Sequence, residues 1–539
     1  MIAWDEALTA YRRTAPAAAA SAADAANLLQ AHHPDHAAQA HAELRIGVNR
    51  GDRCPVELAQ LLESRALIDD ADLAGAPALE TDVLILGGGG AGCVAALSAA
   101  ATGARVLLAT KLALGDGNTV MAEGGIQAAV DPSDSLQQHF EDTMRGGHFA
   151  GVPELAATLA GEGPDALRWL ILRGMQFDLQ PGPSVFGTLQ RKRAGGTSVP
   201  RVHSYRDLTG LEMMRVLRES VALDARISVL PHHPAVELLS EGHGERRCCG
   251  AVLYDIDRSR LCVVRSGAVV LATGGSGRLH LQGYPTSNHY GATGDGLVLA
   301  YRLGARLLHI DSFQYHPTGL AWPAHLAGQL VTEAVRSAGA YLVNGVGERF
   351  VDELSARDRV AAAILRECHE QRAIVRDGAV GVLLDVPSLL DRQPDLISRE
   401  LKGLAHLARR GNIDLCSEPL LVHPTLHYQN GGVAIDVEAA TDVHGLFCAG
   451  EVAGGIHGRN RLMGNALLEL VVFGRRAGAN AARWAAKQPT RWGSVGHLRA
   501  WQRELATLAD VPAACAPQLY PGFANVDVAA LVHPEQEPS

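Results

Sequence analysis

The sequence predicts an α/β fold whose main domain is interrupted by an inserted one. Three observations carry this. Residues 82–86 form a continuous apolar run that meets a glycine turn at 87–92, an alanine-rich helical stretch at 91–102 and a second apolar run at 105–109, which together make a βαβ unit. Residues 263–273 read as another strand, closing on Gly274 and Gly275. After a block at 313–424 that is more helical and richer in charge, residues 445–474 return to the strand, glycine and helix style of the first block.

In chain order, residues 1–79 read as a polar, alanine-rich arm of helices ending at Gly75 to Pro77. The main domain spans 80–312 and 425–485, the inserted domain 313–424, and 486–539 is a short C-terminal segment with a helical stretch at 495–508 and a Pro-rich tail. With 539 residues, 58 glycines and 47% hydrophobic residues, the chain has material for several domains around a large core. The net charge of −10 supplies no basic field, so nucleic acid is not an expected partner. No apolar run approaches the roughly 20 residues of a membrane helix. Arg12 and Arg13 sit in an alanine-rich stretch, but Asp5, Glu6 and Asp24 interrupt it and leucine is scarce, so no export signal is expected. The nine cysteines form no C-x-x-C pair, so no zinc site or iron–sulfur cluster is expected from this chain, and scattered thiols suit the cytoplasm.

The chemistry lies in the glycine-rich segments. Gly87-Gly88-Gly89-Gly90-Ala91-Gly92 matches G-x-G-x-x-G between a strand and a helix, where glycine lets a pyrophosphate approach the backbone at the helix N-terminus. An acidic ribose ligand is missing from the end of the second strand, where Thr110 and Lys111 stand, so this motif leaves NAD and FAD both open. In GLFCAGEVAGGIHGRNRLMGNALLELVVFG (445–474), a helix start follows Gly464 and Asn465, and Arg459 and Arg461 lie just upstream. A guanidinium there suits a carboxylate because it forks onto two oxygens.

Asn118-Thr-Val-Met-Ala-Glu-Gly-Gly-Ile126, Ala272-Thr-Gly-Gly275, Thr293-Gly-Asp-Gly296 and the 445–474 block together resemble the succinate dehydrogenase, fumarate reductase and L-aspartate oxidase flavoprotein family, over about residues 81–478. The resemblance implies a Rossmann-like FAD-binding domain with an inserted α+β capping domain. It implies FAD held at Gly87, Gly89, Gly92, Lys111, Asn118, Thr119, Gly124, Gly125, Asp295, Glu451, Ala466 and Leu467. It places His316 of His-Pro-Thr-Gly, Thr332, His427 and Arg461 on the substrate. Arg357 is then the proton donor, with Glu333 and Arg336 as its relay. Arginine has a pKa above 12 and needs such a relay to act as an acid. The implied reaction is hydride exchange between flavin N5 and one carbon of a C4 dicarboxylate, with proton exchange at the next carbon. No metal is implied.

Departures from the family pattern shape the expectation. Asn118 stands where succinate dehydrogenases bond a histidine to FAD, which implies noncovalent FAD and points towards fumarate reduction or aspartate oxidation. Ala194, in Arg-Ala-Gly-Gly-Thr-Ser, aligns with a glutamate of aspartate oxidases taken to pair the substrate ammonium, which favours a neutral-chain dicarboxylate. Ala338 and Ala362 replace charged family residues, and the C-terminus is short. The first expectation is a flavoprotein interconverting fumarate and succinate, with a separate iron–sulfur or other electron-transfer subunit that supplies any membrane association. The second is an L-aspartate oxidase making iminoaspartate. A flavin-binding subunit without turnover is the reading from another class.

Overall fold

The computed structural model describes residues 1–13, 25–180, 189–241, 246–488 and 492–520. Strand Ala78–Leu86 is central in a seven-stranded sheet, parallel to Val106–Ala109 on one side and to Arg260–Leu271 on the other, with Ile227–Leu230 outside Val106–Ala109. Its residues Val83, Leu84, Ile85 and Leu86 are buried, which is why the sequence reads as an unbroken apolar run: both faces of a parallel sheet are covered. Arg260–Leu271 serves two neighbours. Residues 269–271 pair in parallel with Leu446–Cys448, while its first half is antiparallel to Arg247–Asp255, which in turn pairs with Ala235–Glu241.

Helices Gly90–Ala101 and Asn465–Lys487 cross over this sheet at close range. A Cβ at Gly478 would overlap the Ala95 carbonyl oxygen, and one at Gly474 would sit 3.1 Å from the Ala91 carbonyl oxygen and the Val94 side chain. The glycines are therefore required by approach distance. The C-terminal ends of Ala78–Leu86, Val106–Ala109, Arg260–Leu271 and Leu446–Cys448 all open on one side, the crevice where α/β sheets bind ligands.

The block at 313–424 reads as helical in sequence, yet it is built on a sheet. Ala379–Asp385 lies between Ile374–Arg376 and Leu420–Gln429, with Phe313–Leu320 antiparallel to Leu420–Gln429. Helix Arg357–His369 covers one face through Val360, Ala363 and Ile364. Prolines 317 and 424 and the histidines inside these strands mask the alternation that marks a strand, because His316, Pro317, Thr425 and their neighbours are buried on both faces.

The N-terminal arm also departs from the helical expectation. It has helices Trp4–Arg13, Ala25–His32 and Val56–Leu62, but also an antiparallel pair, His41–Glu43 with Arg53–Pro55. The pair is closed by a loop whose Gly47 (φ +80°) and Gly51 (φ +92°) adopt a conformation that favours glycine. Ile2–Ala3 joins the edge of the second sheet, in parallel with Ile374–Arg376. The C-terminal helix is His497–Leu505, within the expected 495–508, and most of the Pro-rich tail lies outside the described residues.

Gly478→Val should lower the thermal unfolding midpoint clearly, since forcing methyl groups into a packed crossing destabilises by about 1–3 kcal/mol or more. Gly161→Ala, in helix Pro153–Ile171 where an added Cβ meets nothing within 4 Å, should raise it slightly. Thermal scans of both variants by circular dichroism check the contrast.

Candidate active site

A cavity of about 730 Å³ runs from the ends of the parallel strands to the edge of the second sheet. At one end it is lined by Gly87, Gly89, Lys111, Asn118, Thr119, Gly124, Gly125, Asp295, Glu451, Ala466 and Leu467. Two helices begin on it, Gly90–Ala101 and Asn465–Lys487, the second entered through Gly464 at φ +90°. Their first N–H groups have no partner within the helix and form a site for an anionic or electron-rich group. At Gly89 an added Cβ would meet only Thr119 Oγ1, 3.9 Å away, so the backbone there faces open space. Gly92 does not line the cavity. A Cβ on it would overlap the Gly87 carbonyl oxygen, so this glycine permits the close helix and strand packing and makes no contact with a cofactor.

The polar groups of this end are tied to one another. Lys111 Nζ lies 2.7 Å from Asp295 Oδ2 and donates to the Gln518 carbonyl oxygen at 2.6 Å. Asn118 Nδ2 donates to Glu451 Oε2 (3.1 Å) and Asn288 Oδ1 (2.6 Å), and its Oδ1 accepts from the His289 amide at 2.7 Å. Burial raises the Glu451 carboxyl above its ordinary range.

The other end gathers His316, Thr332, Glu333, Arg357, His427 and Arg461. Phe313–Leu320 supplies His316, Leu420–Gln429 supplies His427, and the loop before Asn465–Lys487 supplies Arg461. Arg357 is the first residue of its helix, and Thr332 caps the short helix Glu333–Ser337, its hydroxyl accepting from the Ala334 amide at 3.4 Å. Arg357 Nε donates to Glu333 Oε2 at 2.8 Å, and Arg336 Nη2 lies 3.2 Å from the same oxygen. Glu333 Oε1 accepts from the Gly195 amide at 2.8 Å. Arg336 does not line the cavity: it stands behind Glu333, fully buried, and donates to the Glu353 carbonyl oxygen.

Gln314 is a site residue that the sequence motifs do not single out. Its Oε1 accepts from Arg357 Nη1 at 2.9 Å and from Arg461 Nη2 at 3.0 Å, so one amide oxygen holds two guanidiniums together. It stands two residues before His316 on the same strand face, the one signal the sequence offers. Tyr428 is another; the Arg461 guanidinium lies over its ring at 4.4 Å. Glu123 and Asp207 line the cavity as well. Arg459 is paired with Asp311 at 2.5 Å and takes no part. Ala194 is buried against Val202 and Met463 and does not line the cavity, so the inference drawn from it about a substrate ammonium has no structural basis.

Burial would raise the Glu333 carboxyl, but the Arg357 and Arg336 guanidiniums outweigh it and hold the group at about 2. Burial and Arg357 lower the Arg461 guanidinium to about 10. Burial and Arg357 also push both His316 and His427 well below the ordinary histidine value, so both rings are neutral near pH 7. His316 Nδ1 accepts from the Thr318 amide at 3.3 Å, which places the ring proton on Nε2, an atom with no partner among the described residues. The rings of His316 and His427 stand edge to face at 5.2 Å. Two guanidiniums and two neutral imidazoles thus face one space, an arrangement that receives carboxylates.

The family described as FAD binding domain matches residues 82–467. The flavoprotein-like relative named as a CoM/CoB fumarate reductase chain in Methanothermobacter marburgensis is 41% identical over 423 residues, 76% of this chain and 74% of that protein. L-aspartate oxidase of Streptomyces coelicolor is 37% identical over 418 residues, 75% of this chain and 69% of that one. Among solved structures, the Sdh1 complex of Mycobacterium smegmatis with UQ1 matches with a TM-score of 0.66 at 37% identity, covering 80% of this chain and 73% of that one.

The Glu333 carboxyl is depressed in the fold, so it stabilises the protein above its unfolded value and that contribution is lost as pH falls from 4.5 towards 2. Wild type should therefore lose stability over this window by on the order of 3 kcal/mol more than Glu333→Gln. Denaturant midpoints of both proteins measured from pH 6 down to pH 3 would show converging curves.

Proposed function

The chain belongs to the FAD binding domain family and is an FAD-dependent oxidoreductase, and we propose that it interconverts fumarate and succinate or a close C4 dicarboxylate. The observation that carries this reading is the convergence of Arg357 and Arg461 on Gln314 Oε1 beside two neutral imidazoles. In this reading the chain is organised as a discontinuous FAD-binding domain at 80–312 and 425–485 around a capping domain at 313–424, with the arm 1–79 and the segment 486–539 outside it. The cofactor is held without a covalent bond by the glycine-lined end of the cavity, with Asn118 and Glu451 beside it. Bound FAD supplies two-electron, hydride-transfer chemistry.

The chain's own residues do the rest. Arg461 and His427 take one carboxylate of the substrate, and His316, through its Nε2–H, and Thr332 take the other. Clamping both ends fixes the central carbons against the cofactor end of the cavity. Arg357 delivers the proton that completes addition across the fumarate double bond, or accepts it in the reverse direction. Its neutral form would be short-lived, and Glu333 at 2.8 Å, backed by Arg336, is placed to return the proton. A separate iron–sulfur or other electron-transfer subunit exchanges electrons with the chain in the cytoplasm. No described helix is long and apolar enough to cross a membrane.

A second reading, L-aspartate oxidase, is favoured by one observation. The Glu123 carboxyl lines the cavity, raised well above the ordinary range by burial and by Asp207, and its position would let it pair a substrate ammonium.

Anaerobic titration of the oxidised and reduced holoprotein with succinate, fumarate and L-aspartate tests both. Reoxidation of the reduced flavin by fumarate supports the first reading, bleaching by L-aspartate alone supports the second, and no response to any of the three would favour a flavin-binding subunit without turnover. Arg357→Gln should lower kcat by about 10²–10⁴-fold with a modest change in KM. Arg461→Gln should weaken dicarboxylate binding by about 30-fold or more, since it strips one partner from a buried charge pair. Equal and small effects of both substitutions would rule out the assigned roles.

A further inference from the structure

Arg357 and Arg461 carry like charges, and what lets them share one acceptor is the orientation of the Gln314 amide. Turned over, that amide would present its NH₂ group to two guanidiniums. Its direction is set from behind. Gln314 Nε2 donates to Asn460 Oδ1 at 2.9 Å and to the Arg461 carbonyl oxygen at 2.6 Å. Asn460 is oriented in turn, because its Nδ2 donates to Asp358 Oδ1 at 3.2 Å and to the Gly146 carbonyl oxygen at 3.1 Å. The other oxygen of Asp358, Oδ2, is 2.6 Å from His148 Nε2. Each amide in this series keeps its direction only while Asp358 is a pure acceptor, that is, while it is ionised.

We propose that His148 is a positioning residue for the Arg357 and Arg461 pair, acting through Asp358, Asn460 and Gln314. The proposal rests on the reading above that these two arginines handle the substrate.

Three further observations support it. Asp358 is buried, and burial by itself raises a carboxyl; the hydrogen bond and charge of His148 are the leading opposing influences and bring it below its ordinary value. His148 is the exposed end of the series, its side chain 38% accessible against 7% for Asp358. The backbone is strained to place it: His148 and Phe149 both have positive φ, 57° and 56°, and a Cβ on Gly147 would overlap the His457 carbonyl oxygen. Non-glycine residues in succession there mark a conformation held by its surroundings. The charged and titratable groups around His148 are Asp358 from helix Arg357–His369, His33 and His36 from the arm, and beyond them Arg459 and Asp311.

Without the histidine, Asp358 takes up a proton at a higher pH than in the wild type. A protonated Asp358 becomes a donor, Asn460 and Gln314 turn over, and the arginine pair loses its common acceptor. His148→Gln keeps a donor at this position and removes the charge. It should therefore lower kcat about 10- to 100-fold at pH 6 and recover towards wild type as the pH is raised. Asp358→Asn should show the loss at every pH. Both are measured on FAD-loaded full-length protein, with fumarate, succinate and L-aspartate as probes and with the flavin spectral change on binding as a second readout. A merely structural role would lower activity without adding the pH-dependent limb, and that result overturns the proposal. So does wild-type turnover matched by His148→Gln in kcat and pH profile, which leaves the functional reading intact. Wild-type protein that neither binds nor turns over the three acids overturns both.

Discussion

The carboxylate of Glu333 holds Arg357 at 2.8 Å and Arg336 at 3.2 Å in a space that neither guanidinium shares with water. Removing three charged groups from solvent is unfavourable unless each finds partners, and the geometry supplies them unevenly. Glu333 also takes the Gly195 amide, so both its oxygens are satisfied. Arg336 does less well, with its Nε lacking an acceptor among the described residues. The arrangement is therefore constrained by the carboxylate, and the loop at 194–196, the helix start at Arg357 and the helix Glu333–Ser337 are brought together by it.

Arg461 adds a third guanidinium without adding a counterion. Counted over Arg336, Arg357, Arg461 and Glu333, three positive charges face one negative, with both imidazoles neutral. Gln314 relieves the closest repulsion by giving Arg357 and Arg461 the same oxygen, but an amide cannot neutralise a charge. A dianion placed in the cavity would. On the proposed reading the excess charge is the source of substrate affinity, and the fold carries the strain of it in the free protein.

Sequence makes the outline of this site legible because its parts are local. A glycine turn between a strand and a helix, a Thr-Glu-x-x-Arg run and a His-Pro-Thr run each announce their chemistry within a few residues. The links between them are not local and stay hidden. Gln314 is an ordinary residue on a strand until Arg357, 43 positions later, and Arg461, 147 positions later, arrive beside it. Ala194 misleads for the same reason: its place in a loop motif suggests a substrate contact, while the fold turns it into an apolar cluster with Met463. The sheet of the 313–424 block is obscured because strands buried on both faces and broken by proline lose their alternation. The arm reads as helical because short strands leave little periodic trace; Ile2–Ala3 is defined by its partner Ile374–Arg376 alone.

The two substrate readings differ by less than they first suggest. Succinate and fumarate bring two negative charges at neutral pH, which match the excess of two positives when Glu123 is a neutral acid. L-aspartate brings two carboxylates and an ammonium, a net charge of one, which matches the site if Glu123 is ionised. Burial and Asp207 keep that carboxyl protonated in the free protein. An ammonium within hydrogen-bonding reach would favour its anion, because an opposite charge at about 4 Å lowers a carboxyl by one to three units. One proton on Glu123 thus converts a cavity complementary to a dianion into one complementary to an amino dicarboxylate. The choice between the readings turns on a residue inside the cavity, and the arginine and histidine set serves both equally.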